Sequence, residues 1–208
     1  MIILKITSEK QHLNKITLEN GEELLIDKDI CIQHSLMAKT EIEPEEITAL
    51  KRESDFSRAK SRALWYLDRQ DYTEKKLYGK LVEKGFDKKV CAAVIAKLVE
   101  IGAIDDRRYA ERYAERLLEA RTSKREAMQK MLLRGVPYDL GKQVLSEFQV
   151  DEEEQLTELI EKKYTDKLQT ENGYQKVYAA LARKGFSFTA IKAALKKYIE
   201  DIEFSEEY

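Results

Sequence analysis

The chain opens on an alternating pattern and then lengthens its period. Apolar residues stand at Ile3, Leu4 and Ile6, then at Ile16 and Leu18, then at Leu24 and Ile26, with Asn20-Gly21 between the last two runs. Alternation of apolar and polar positions presents one face of a strand to a core, and Asn-Gly suits a type I′ turn, whose two central residues both need φ > 0. Residues 1–26 are read as a small β-hairpin. From Asp27 onward the apolar spacing becomes helical. Glu43-Pro44-Glu45-Glu46 puts a proline and acids where a helix N-terminus favours them, so a linker into a helical body is expected there.

That body repeats. Gly85, Gly135 and Gly185 are spaced 50 residues apart, and each follows a basic residue and precedes an apolar one. Four residues before each glycine stands Leu81, Met131 or Leu181. After them come Val94, Ile95 and Leu98, then Val144, Leu145 and Phe148, then Ala194, Leu195 and Tyr198, all at one set of offsets that makes a single helix face. A basic last turn followed by glycine is a helix C-cap, the glycine taking the left-handed conformation and the cation facing the negative end of the dipole. The glycines are turns and carry no chemistry. A third helix leads each unit, at about 57–69, 105–120 and 152–168; Asp105-Asp106 opens the second, and Ser123-Lys124-Arg125-Glu126 reads as a capping box for the helix after it. The expected architecture is mainly α: a β-hairpin and helical extension over residues 1–50, then three-helix repeats over 51–104, 105–150 and 151–208. Since one such unit buries too little surface alone, the nine helices should stack into an elongated array.

Composition agrees. Among 208 residues, 43% are apolar, 37% are charged and only two are proline, a profile of amphipathic helices. Cys31 and Cys91 are far apart and lack a CxxC partner, so neither a disulfide framework nor a structural zinc site is indicated and a reducing compartment fits. The start of the chain has no basic leader with a long apolar stretch and no apolar run is long enough to span a bilayer, so a cytoplasmic, soluble protein is expected. No HExxH, GxSxG or P-loop is present, and His12 and His34 fall in the hairpin and the helix after it. Neither an enzyme, a cofactor nor a metal is indicated.

Charge is what changes the picture. The net charge of −2 divides into −5 over residues 1–50, +7 over 51–150 and −4 over 151–208. In the second unit Arg108, Arg112 and Arg116 recur every four residues as one stripe, with Glu111, Glu115 and Glu119 three positions after each and able to pair with them. Downstream, Arg121, Lys124, Arg125, Lys130 and Arg134 have no matching acid nearby except Glu126, so this run suits a polyanion or an acidic groove. The first unit adds Arg69, Lys75, Lys76 and Lys84 within a broader basic band that includes Arg58, Lys60, Arg62 and Lys80. These twelve residues, from Arg69 to Arg134, are the candidate binding surface. Trp65 and Tyr72 are read as packing residues beside Leu64 and Leu67, and Tyr109, Tyr113 and Leu117 as the core seam of the second unit.

Ala63-Leu64-Trp65-Tyr66-Leu67, Asp71-Tyr72-Thr73-Glu74-Lys75-Lys76-Leu77, Lys80-Leu81-Val82-Glu83-Lys84-Gly85-Phe86 and Gly102-Ala103-Ile104-Asp105-Asp106-Arg107-Arg108-Tyr109-Ala110, in that order, resemble the RecX regulatory proteins of bacteria. The likeness covers about residues 57–148 and extends to the third unit through the glycine register. The chain departs from the family at Arg121-Thr122-Ser123, where a glycine and a small residue are usual, and at Gly135-Val136-Pro137. The resemblance implies a monomeric protein that binds RecA recombinase filaments on single-stranded DNA, with at most weak duplex binding, and modulates, usually by inhibition, recombination and co-protease activity in DNA repair and the SOS response. Helix–turn–helix units also admit a duplex-DNA regulator, but the helices after Gly135 and Gly185 are not especially basic on their polar faces.

Overall fold

The computed structural model describes residues 1–205, with side chains through residue 198. Strands β1 (Ile3–Glu9), β2 (Leu13–Leu18) and β3 (Glu23–Asp27) form an antiparallel meander in sequence order, one strand more than a hairpin. Ile3 lies opposite Leu18 and Ile16 opposite Leu24, which gathers their side chains on the buried face; Leu4 and Leu25 point the other way and are exposed. The β2–β3 turn corrects the type I′ reading. Gly21 N–H closes on the Leu18 carbonyl (2.9 Å) and Gly21 alone of the Asn-Gly pair has positive φ (+82°), while Asn20 Oδ1 accepts from Glu22 N–H (2.9 Å). This is the three-residue hairpin loop with a left-handed glycine at its end.

Helix α1 (Lys28–Gln33) follows directly, capped by the Asp27 carboxylate, and α2 (Pro44–Leu67) covers the sheet. Ile42, Ile47 and Leu50 join the sheet residues and Ile30 in one core, and Asp27 N–H donates to the buried Ser54 Oγ (2.8 Å). The expected linker is therefore helix. Pro44 takes the first helical position, Glu43 and Glu46 close a reciprocal capping box, and no glycine or second proline interrupts the run. The leading helix of the first unit starts at Pro44, not near 57, and serves the sheet core with its first half and the first repeat with Ala59 and Ala63 of its second half.

Three helices follow in each repeat. The end of α2 packs with α3 (Glu74–Glu83) and α4 (Lys88–Glu100) around Leu77, Leu81, Val94 and Leu98. Helices α5 (Asp106–Glu119), α6 (Lys124–Leu133) and α7 (Tyr138–Glu147) surround Ala110, Ala114, Met131, Val144 and Leu145. Helices α8 (Glu152–Lys163), α10 (Gly173–Arg183) and α11 (Phe188–Ser205) surround Leu156, Ile160, Leu181, Ala194 and Leu195. The third leading helix breaks at Tyr164 into α8 and a single turn, α9 (Thr165–Leu168), where Thr165 Oγ1 donates to the Glu161 carbonyl (2.9 Å). With α1 and α9 the described residues hold eleven helices rather than nine.

The glycine register is realised as three copies of one turn. Gly85, Gly135 and Gly185 have φ of +88°, +91° and +88°, and each N–H donates to the carbonyl three residues back (2.9, 2.9 and 3.0 Å). The next N–H returns to Leu81, Met131 or Leu181 (3.4, 3.1 and 3.4 Å), the paired hydrogen bonds of a Schellman cap. The chain divides into two compact units, residues 1–105 and 106–208.

Candidate functional site

In the first unit, Lys75 and Lys76 stand exposed on α3 and Lys84 at its C-cap, and no acid among the described residues pairs with them; Lys80 instead reaches Glu83 (2.9 Å). Arg69 lies with its guanidinium 3.6 Å from the centre of the Trp65 ring and donates to the Trp65 carbonyl (2.7 Å), and Arg62 approaches the same ring at 5.5 Å. Trp65 is 45% exposed, as is its neighbour Leu64 in large part, which corrects the packing reading for Trp65; Tyr72, like Leu67, does pack against the core. On a helix Ala59 and Ala63 define the inward face, and residues one and two positions beyond Ala63 turn away from it. The Trp65 ring borders a cleft of about 530 Å³ shared with Arg58, Arg62, His12 and Asp29. His12 Nε2 and Asp29 Oδ1 are 3.1 Å apart, and with Asp27 they gather ligand atoms within 4.8 Å, a grouping that no sequence spacing announced.

The second unit distributes its cations differently from the sequence pattern. Glu111 pairs with Arg107 (2.8 Å), not with a stripe residue, and Arg107 also grips Glu147 at the end of α7 (2.8 Å). Arg108 and Arg112 remain exposed on α5, each with interacting neighbours. Arg116 and Arg134 converge on the Tyr113 ring at 5.0 and 5.8 Å, and a hydrogen bond with Tyr113 raises the Arg134 pKa, fixing its charge. Tyr109, Tyr113 and Leu117 line the core of this repeat, as their helical spacing suggested.

The run expected to lack acids acquires partners from distant sequence. Arg121 takes φ +57° at the end of α5, donates from Nε and Nη2 to Glu158 of α8, and its backbone N–H closes on the Leu118 carbonyl (2.9 Å). The residue where the resemblance leads one to expect glycine thus adopts the glycine conformation. Ser123 caps α6 by accepting from Glu126 N–H (3.1 Å), which is half of the expected capping box, and donates to the Lys184 carbonyl (2.6 Å); the Glu126 carboxylate turns to Lys130 (2.9 Å). Lys124 Nζ donates to the Phe148 carbonyl (2.7 Å). Arg125 packs against the Gly185 turn and has no acidic partner among the described residues. Within the second unit, then, Arg121, Ser123 and Lys124 tie the second and third repeats together or brace the second, whereas Arg125 keeps its charge unspent.

Comparison with known proteins places this scaffold. Residues 59–98 match the first three-helix domain of RecX and residues 151–195 match its third three-helix domain. A regulatory protein RecX of Clostridium tetani is 29% identical over 213 residues, spanning 95% of this chain and 94% of the relative, and one of Streptococcus uberis is 27% identical over 93% and 75%. A crystal structure of a regulatory protein RecX superposes with a TM-score of 0.70 at 26% identity, covering 94% of this chain and 98% of its own. The RecX structure from Lactobacillus salivarius shares the fold over 69% of this chain with a TM-score of 0.62 at 23% identity. The three glycine turns, the helices they join and a likeness that runs nearly end to end make this chain similar to the RecX regulatory proteins in sequence and in fold.

Proposed function

We propose that this protein binds RecA recombinase filaments assembled on single-stranded DNA and restrains their recombinase and co-protease activities, acting as a cytoplasmic monomer without a cofactor. The likeness to RecX regulatory proteins over nearly the whole chain carries the reading. The described charges support it: Lys75, Lys76, Lys84 and Arg125 form no ion pair among the described residues and offer cations to an acidic groove or a phosphate backbone. Arg69, Arg108, Arg112, Arg116 and Arg134 extend that surface, and the role of Arg121, Lys124 and Lys130 in it is secondary to their internal contacts. No helix of the described residues is long and apolar enough to cross a membrane.

The test is RecA-catalysed ATP hydrolysis and strand exchange on single-stranded DNA with the protein added from substoichiometric to equimolar amounts. A dose-dependent fall in both is expected; unchanged rates at stoichiometric excess would overturn the proposal. A footprint confined to one duplex sequence would replace it with a duplex-binding regulator.

A further inference from the structure

We infer that a cleft between α5, the end of α7 and α8 is a docking site for an arginine side chain presented by a partner protein. The cleft, of about 350 Å³, lies wholly within the second compact unit. Glu115 and Glu119 enter it from α5, Asp151 and Glu154 from the start of α8. Glu115, Glu119 and Glu154 have no cationic partner among the described residues, and Asp151 uses one carboxylate oxygen to cap α8 through Glu153 and Glu154 N–H (2.9 and 3.1 Å). Among the lining residues the one cation, Arg121, is already neutralised by Glu158, and Lys124 nearby spends its ammonium on the Phe148 carbonyl (2.7 Å). Four carboxylates in a concave site without a counter-charge make a strong field for a cation.

A second observation, independent of the acids, points the same way. Gln155 lines the cleft, is 7% exposed, and its Nε2 donates to the Leu118 carbonyl (3.2 Å). A carbonyl only accepts, so this bond fixes the amide with nitrogen towards Leu118 and leaves Oε1 buried with no donor. A buried acceptor without a partner is costly, and a site that keeps one is built for an incoming donor. Leu118 and the half-buried Phe148 supply an apolar wall.

The combination selects a guanidinium. It is planar, stacks on an aromatic face, carries five donors for an amide oxygen and flanking carboxylates, and is less strongly hydrated than an ammonium. A bare metal ion fits less well, because among the described residues only His12, Asp27 and Asp29 bring three ligand atoms within 4.8 Å. The partner that presents the arginine need not be RecA.

The experiment is an NMR titration of the full chain with acetyl-Gly-Arg-Gly-amide and with the same peptide carrying citrulline, the uncharged isostere. The arginyl probe should shift the Gln155 side-chain amide and the Leu118 and Phe148 backbone saturably, with citrulline at least about tenfold weaker as expected for loss of a charged hydrogen-bond donor. Glu119→Gln with Glu154→Gln, with helicity checked by circular dichroism, should weaken the arginyl probe about fivefold. No saturable shift at Gln155, equal affinity for citrulline, or unchanged affinity in the double variant would each overturn the site. The RecA hydrolysis assay is read separately, so failure of the cleft and failure of the RecA reading are distinguishable.

Discussion

The repeated glycine turn offers a matched pair of perturbations whose effects should differ. Gly85 and Gly185 share the same φ of +88° and the same hydrogen bonds, but an added Cβ meets nothing within 4 Å at Gly85, whereas at Gly185 it falls 2.9 Å from Ser123 Oγ and 3.0 Å from both Arg125 Cβ and Nε. Gly85→Ala therefore incurs only the left-handed penalty of an L-residue, about 1–2 kcal/mol. Gly185→Ala incurs that and a collision. The Arg125 guanidinium can swing aside, but its Cβ is fixed to α6, and Ser123 Oγ is held between Glu126 N–H (3.1 Å) and the Lys184 carbonyl (2.6 Å). Displacing the hydroxyl forfeits a hydrogen bond and a helix cap, each worth about 1 kcal/mol, so the total comes to about 3 kcal/mol. Urea unfolding of the full chain, followed by far-UV circular dichroism and fitted transition by transition, checks this. With a slope of about 2–3 kcal/mol/M the Gly185 variant should lose about 1 M in midpoint and the Gly85 variant about half that. Adding Ser123→Ala should cost less in the Gly185→Ala background than in wild type, because the clash has already displaced the hydroxyl. Equal midpoint shifts for the two glycine variants would refute the steric argument.

The same turn logic applies to Arg121, which holds φ +57° without being glycine: Arg121→Gly should be more stable than Arg121→Ala by about 1 kcal/mol in a thermal melt, since both lose the Glu158 bridge and only glycine relieves the backbone. Burial raises the pKa of the Cys31 and Cys91 thiols, so both should resist a thiol reagent in the native chain at neutral pH and react once it is unfolded in urea. Because the folded state holds these protons more tightly, their contribution to stability is complete below about pH 8.5 and falls as pH rises through the raised folded values, which pH-dependent urea midpoints of wild type and Cys→Ser variants would show. Glu147→Gln should lower the melting temperature at low ionic strength and have little effect in about 1 M salt, where the exposed Arg107 pair is screened. Lys75→Ala, Lys76→Ala and Lys84→Ala together should weaken filament binding and flatten its salt dependence with unaltered helicity, whereas an unchanged salt slope would relegate these lysines to solubility.

How much of this was legible in the chain follows from how far apart the cooperating residues lie. The strand alternation, the Pro44 start and the three glycine caps are decided within a few residues, and each appears where the local pattern put it. The positions on each helix face at Leu81, Met131 and Leu181 are all fully buried for the same reason. The third strand, the unbroken α2 and the break at Tyr164 were harder. Each depends on what the element packs against: the Asp27–Ser54 hydrogen bond, for instance, joins residues 27 apart and commits the first half of α2 to the sheet.

The candidate surface shows the limit most clearly. By sequence, Arg121, Lys124 and Arg125 look alike: adjacent cations with one acid near them. In three dimensions Arg121 meets Glu158, 37 positions away, Lys124 meets a carbonyl 24 away, and only Arg125 keeps its charge for a partner. The acids that sequence reading set against the arginine stripe behave in the opposite sense. Glu115 and Glu119, spaced to neutralise Arg112 and Arg116, instead face a cleft with Asp151 and Glu154, residues that read as an ordinary helix cap. Spacing along one helix identifies which charges can meet; the neighbouring helix decides which do. For a repeat protein this has a specific consequence. Cores are copied from unit to unit by local rules, while charges at the junction between units are set pairwise by long-range contacts. Binding determinants in this chain should therefore be sought in the cations and carboxylates left over after those junctions close, not in the densest runs of charge.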